Sequence, residues 1–141
     1  MSDRTIEVLD EAECLRRISP GGIGRIAYQS RFGLAVLPVN YQLHDGAILF
    51  RTAEHSPMDE DLRTGIAGAE FGVAFEIDDI DASARRGWSV LVQGAAHLVQ
   101  SDAEREAVLN AGVDPWPGGE RELFIRIVPS RITGRGIVAA S

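Results

Sequence analysis

The amino-acid sequence predicts a mainly β protein, a β-barrel with short helices inserted between its strands. Short runs rich in Val, Ile, Leu, Phe and Tyr recur along most of the chain, bounded by Gly, Pro, Asn and Asp. There is no strand–helix–strand rhythm of the kind that builds parallel sheets, and no internal repeat. Six or seven antiparallel strands with about three short helices would leave long unpaired edges as an open sheet, so a closed or half-closed barrel is expected.

The first expected element is a helix. Asp10-Glu-Ala-Glu13 supplies the N-cap and the N3 carboxylate of a capping box, Leu15 and Ile18 give a short apolar face, and Pro20-Gly21-Gly22 end it. Strands are expected over 23–28 and 34–43, with a turn between them. His44-Asp45-Gly46 carries the Asp-Gly pair favoured in two-residue hairpin loops, and 47–52 returns as the third strand of a meander. Over 54–68, Ser56 as N-cap, Pro57 at N1, and Met58, Leu62 and Ile66 at steps of four read as an amphipathic helix. A dense apolar strand over 71–77, a polar loop over 78–86 and a long strand over 88–100 follow. Within that strand Gly94-Ala95-Ala96 allows a bend or the close approach of another backbone. Ser101-Asp-Ala-Glu104 opens a helix running to Asn110, Pro115-Trp116-Pro117-Gly118-Gly119 reads as rigid loop, and 123–128 and 132–138 read as the last two strands, the second interrupted by Gly134 and Gly136.

Composition sets bounds on function. The 141 residues suit a single domain, and 45% hydrophobic with 25% charged residues is an ordinary globular balance. The net charge is −7, from 14 basic and 21 acidic residues, and every basic residue is arginine. A lysine nucleophile or Schiff base is thereby excluded, and an anion held by a side-chain cation must be held by Arg or protonated His. The negative field, with no basic stripe to offset it, argues against a nucleic-acid partner. The single cysteine, Cys14, excludes an internal disulfide and a multi-Cys metal site, and lies among helix formers as an inert thiol. No run reaches the ~20 apolar residues of a membrane span. Met1-Ser2-Asp3-Arg4 begins no apolar signal segment, so no membrane association and a cytoplasmic location are expected.

Familiar catalytic signatures are missing: no Gly-x-Ser-x-Gly elbow, no P-loop, and no glycine run between a strand and a helix. His44, His55 and His97 lack metal-ligand spacing, and no metal site is expected. Glu76, Asp78, Asp79 and Asp81 could offer oxygen ligands, but a strand end running into a solvated turn explains them without a cation. Pro38, within Leu37-Pro38-Val39-Asn40-Tyr41, removes a ladder donor and marks an edge or bulge. Arg51 and Thr52 read either as a compact anion-binding pair or as a surface arginine facing a carboxylate. Along the next long strand, alternation puts Trp88, Val90 and Val92 on one face and Ser89, Leu91 and Gln93 on the other. That strand suits a planar heterocycle, or equally a structural Trp with solvent-facing Ser and Gln. Trp116 reads as an aromatic flap or as a loop anchor.

Taken in order, six segments resemble one family. Gly24-Arg-Ile-Ala-Tyr28, Pro38-Val-Asn-Tyr41, Phe50-Arg-Thr52, Phe75-Glu-Ile-Asp78, Gly87-Trp-Ser-Val-Leu-Val-Gln-Gly94 and Ile132-Thr-Gly-Arg135 are similar to the pyridoxamine 5′-phosphate oxidase-like flavoproteins, nearest their nitroimidazole-reductase-like branch. The resemblance implies an FMN-binding split β-barrel that forms a homodimer with its cofactor sites at the subunit interface. It implies that Pro38, Val39, Asn40 and Tyr41 flank the isoalloxazine and that Phe50, Arg51 and Thr52 lie by the ribityl-phosphate. Trp88, Ser89 and Gln93 would line the site from the same or the other subunit, with Trp116 near the ring. The family's basic element after Phe-Arg-Thr is replaced here by Ala53-Glu54-His55-Ser56-Pro57, so His55 or Ser56 would have to substitute for it. The arginine-rich C-terminal segment of the vitamin B6 oxidases is also missing, which argues against pyridoxamine phosphate itself as substrate. The expected activity is an FMN-dependent oxidoreductase passing electrons from a reduced nicotinamide to a small organic substrate, with no catalytic side chain identified. The competing expectations are a non-catalytic flavin- or ligand-binding dimer and a deazaflavin-dependent reductase on the same barrel.

Overall fold

The computed structural model of the chain describes residues 4–53, 58, 71–99, 103, 106 and 122–139. Its elements are β1 (Arg4–Leu9), α1 (Glu11–Ile18), β2 (Gly22–Ser30), β3 (Gly33–His44), β4 (Ala47–Ala53), β5 (Phe71–Asp81), β6 (Arg86–Leu98) and β7 (Glu122–Ala139). All pairings are antiparallel, in the order β1-β7-β4-β3-β2-β5-β6, and β6 returns to pair with β7. Six strands therefore close into a barrel, and β1 is appended outside it along β7. The barrel expected from the sequence is what forms.

Local chemistry explains several elements. Asp10 caps α1, its Oδ1 accepting from the Glu13 backbone N–H at 2.8 Å. Only half of the capping box is made, because the Glu13 carboxylate turns forward to the guanidinium groups of Arg16 and Arg17. The β3–β4 hairpin turns through Asp45 (φ 50°) and Gly46 (φ 75°), the two left-handed positions that an Asp-Gly turn provides. The Gly94 reading also holds: a register shift falls at Gln93/Gly94, and a Cβ on Gly94 would lie 2.1 Å from the Val128 carbonyl oxygen. Opposite the shift, Ser130 is the extra residue, and its hydroxyl donates to the Gln93 carbonyl at 3.1 Å.

Three expectations need correction. The segments 123–128 and 132–138 are one strand, β7, because the Ser130 bulge absorbs Pro129 and neither Gly134 nor Gly136 interrupts the ladder. The polar loop over 78–86 shrinks to the turn 82–85, since Asp78 to Asp81 pair with Ser89 to Arg86 and the acidic run thus lies within β5. β1 was not expected at all. The helices expected over 56–68 and 101–110 lie outside the described residues except at Met58, Ala103 and Glu106, each of which is helical. His55, Ser56 and Trp116 also lie outside them.

The barrel interior takes one face of each strand. Ile26, Ile48, Phe50, Phe75, Val92 and Ile127 are fully buried there, joined by Cys14 and Ile18 from α1. Cys14 is inert by placement, since burial pushes its thiol above the usual range. Phe75 is the hub. Tyr41 meets it edge-on at 5.5 Å between centroids, and Phe50 lies tilted against it at 6.1 Å. Phe75→Ala should cost about 3–5 kcal/mol in urea denaturation, because it empties the contact shared by β3, β4 and β5. A loss under about 1 kcal/mol would mean that the hub collapses without penalty.

Candidate functional site

The ladder between β3 and β4 is short. It runs from His44–Ala47 to Tyr41–Phe50 and stops there. β3 continues back to Gly33 against β2, while β4 continues forward to Ala53 against β7. The two strands part beyond the Tyr41–Phe50 rung, opening a split in the barrel wall. Its lips are Pro38, Val39 and Asn40 on one side and Arg51 and Thr52 on the other. Backbone on each lip lacks a strand partner across the gap, and Pro38 cannot donate there at all, which is the edge its position implied.

The side chains expected at the site divide by face. Pro38 and Asn40 are exposed on the outer surface, and Val39 is half-buried toward the core. Arg51 shares its face with Phe124 across the β4–β7 ladder, whereas Thr52 follows Phe50 to the buried interior. Arg51 and Thr52 are therefore not one compact pair: neighbours on a strand point to opposite sides. Tyr41 and Phe50 are core residues. The Tyr41 hydroxyl is buried and donates to the Ile18 carbonyl at 2.8 Å, and burial pushes its pKa up to about 12. These two rings fix the end of the split rather than offering themselves to a ligand.

Trp88, Ser89 and Gln93 are on β6, separated from the lip strand β3 by β2 and β5 one way around the barrel and from the lip strand β4 by β7 the other. A single protomer does not bring them to the lips. Trp88 packs half-buried against the core with Val90 and Val92, while Gln93 is exposed on the outer face with Leu91. That outer face, running across β3, β2, β5 and β6, leaves Ile23, Leu34 and Val36 more than half exposed, at 61%, 85% and 61%. In its middle Arg25 reaches Glu76 at 3.6 Å and Asp78 at 3.5 Å. Burial, followed by the neighbouring Asp78, pushes the Glu76 carboxyl up to about 7 despite Arg25.

Two further residues face outward nearby: Arg126, which no sequence motif marks, and His97, which the sequence marks only as a histidine without metal-ligand spacing. Arg126 of β7 lies directly between Leu49 of β4 and His97 of β6. Its Nε is buried and has no hydrogen-bond partner among the described residues. His97 lies on the rim of an open cavity of about 700 Å³ whose lining includes Gly72, Ala74, Gln93, Ala95 and Ser130. No spacing motif links positions 97 and 126; only the β6–β7 register does.

Residues 10–136 match the family model described as pyridoxamine 5′-phosphate oxidase, and the chain belongs to that family. An uncharacterized protein of Mycobacterium tuberculosis is 34% identical over 140 residues, covering 99% of this chain and 91% of that one. The structure of an FAD-binding protein from Mycobacterium smegmatis is similar at 30% identity and a TM-score of 0.76, covering 92% of this chain and 97% of that chain. A Bacteroides thetaiotaomicron structure assigned to 5-nitroimidazole antibiotic resistance shares the fold, with a TM-score of 0.75 at 11% identity, covering 95% of this chain and 89% of that chain. These likenesses bear out the split-barrel fold and the family that the six segments indicated. Among the described residues no helix is long and apolar enough to cross a membrane.

The raised pKa of Glu76 has a definite sign. Between its ordinary value of 4.5 and about 7 the folded chain holds a proton that the unfolded chain releases. Relative to Glu76→Gln, the native chain should lose stability as pH rises through that window and run parallel to it above. Chemical denaturation at a series of pH values checks this. Parallel curves throughout would mean that Glu76 titrates as it does in solvent.

Proposed function

We propose that this chain is a flavin-dependent oxidoreductase, working as a cytoplasmic homodimer with FMN seated at the opening between β3 and β4. The observation that carries the reading is the opening itself: two strand edges without partners across the gap, exposed Asn40 on one lip and Arg51 on the other. Unpaired edges present backbone donors and acceptors at fixed spacing, which suits a ring carrying both, and a forked cation suits a terminal phosphate. Family membership and the FAD-binding Mycobacterium smegmatis relative support a flavin. The exposed apolar outer face supports the dimer, since a second copy would cover Ile23, Leu34 and Val36. A partner's β6 could then present Ser89 and Gln93 to the opening, which one protomer alone does not do.

A bound flavin would supply the redox chemistry, accepting electrons from a reduced nicotinamide and passing them to a small organic acceptor. The chain would bind, orient and shield. One observation favours a second reading, a flavin-binding protein without turnover: Pro38, Val39, Asn40, Arg51 and Thr52 include no carboxylate, imidazole or thiol to move a proton.

Titration with FMN, FAD and riboflavin, followed by tryptophan emission, tests binding and cofactor choice. Arg51→Ala should weaken FMN by about 1.5–3 kcal/mol and riboflavin, which has no phosphate, far less. Equal losses would make Arg51 structural. Anaerobic mixing of the FMN complex with NADH or NADPH separates the readings: rapid reduction supports the enzyme, and no reduction by either donor or by a reduced deazaflavin supports the binding protein. A monomer mass by light scattering, with and without FMN, would remove the dimer.

A further inference from the structure

We propose that Arg126, with His97 beside it, is a second anion-binding element that holds the phosphate of the bound flavin, an inference that rests on the flavin reading above. Arg126 is opposite Leu49, two residues before Arg51, so the two arginines stand diagonally on the same outer face of β4 and β7. Diagonal Cβ atoms on paired strands are about 7–8 Å apart, within reach of two guanidinium groups converging on one phosphate. His97 faces Arg126 from the other side. Three residues from three strands thus form one row beside the split.

The state of Arg126 is what points to a ligand. Leu49 and Phe124, each 1% exposed, form with Val99 a small apolar cluster, and Arg126 is the cross-strand partner of Leu49 and shares the face of Phe124 on β7. The buried Nε has no acceptor among the described residues. A buried charged donor left unpaired is unfavourable, and an anion arriving at that position removes the penalty. His97 also lines an open cavity whose other walls include the small residues Gly72, Ala74 and Ala95, and a Cβ on Gly72 would meet nothing within 4 Å. The chain has no lysine, so arginine and histidine must supply any cation that such a site uses.

The test compares the native chain with Arg126→Met, Arg126→Lys and His97→Gln. Without ligand, Arg126→Met should melt at or above the native temperature, because it removes an unsatisfied donor while keeping the apolar stem; a structural arginine would give a lower value. Inorganic phosphate should raise the melting temperature of the native chain and not that of Arg126→Met. FMN affinity should fall about 10- to 100-fold in Arg126→Met, less in His97→Gln, with partial recovery in Arg126→Lys and riboflavin affinity unchanged. Equal loss for FMN and riboflavin, or an unaltered phosphate shift in Arg126→Met, would overturn the proposal. If the native chain binds no flavin but phosphate stabilises it through Arg126, the anion site stands and the flavin reading falls. If neither flavin nor phosphate acts, both fall.

Discussion

The contact of Tyr41 and Phe50 with Phe75 determines where the barrel can open. Tyr41 and Phe50 are direct cross-strand partners, and both rings lean on the same phenyl group from β5. The last rung of the β3–β4 ladder is therefore held in the core. Beyond it β3 pairs with β2 and β4 with β7, and no further β3–β4 rung forms among the described residues. The Tyr41 hydroxyl adds a second tie by donating to the Ile18 carbonyl at the end of α1, which also accepts from the Gly21 backbone N–H. Core packing, helix capping and the place of the opening are one arrangement.

The period of two along each strand then distributes the chemistry. Inward positions are almost wholly apolar, while the outward positions of the same strands carry Arg25, Glu76, Asp78, Gln93, Arg51, Arg126 and His97. Arg51 and Thr52 show how strict this is, since adjacency in sequence guarantees separation across the sheet. Exposed apolar residues occur on several strands, Ile6 and Val8 on β1, Ile80 on β5 and Val128 on β7 among them, and Ile23, Leu34 and Val36 share the outer face of β2 and β3 beside the opening. A patch of that kind next to an incomplete site is where a second surface would both gain contact area and supply missing side chains.

How much was legible in the sequence followed from range. The α1 cap and the Asp45-Gly46 hairpin are encoded within a few residues, and both form as expected. The bulge at Gly94 was visible because only a glycine tolerates the Val128 carbonyl at its position. β1 was missed although Ile6 and Val8 alternate with polar residues. Both are exposed, at 63% and 90%, so the strand exists by backbone pairing to β7 and has no buried face to declare it. β7 was divided because Pro129 normally ends a strand, and the bulge that accommodates it depends on residues of β6. At the candidate site, Pro38 was readable as an edge residue, and Arg51 as either an anion-binding cation or a surface arginine facing a carboxylate. Arg126 and His97 were not, because their adjacency exists only in the register.

Burial also explains why the cations of this surface are arginines. A lysine whose nitrogen were buried as the Arg126 Nε is, beside Leu49, would be driven toward its neutral form, since desolvation lowers the pKa of an ammonium group. A guanidinium keeps its charge under the same conditions and presents its donors in a rigid fork. A cation set into an apolar wall, rather than waving above it, must then be arginine if it is to remain charged when nothing is bound. On the proposed anion site, the absence of lysine from the chain and the buried Nε of Arg126 belong together: the anion would meet a donor already desolvated, and little reorganisation would be needed at the moment of binding.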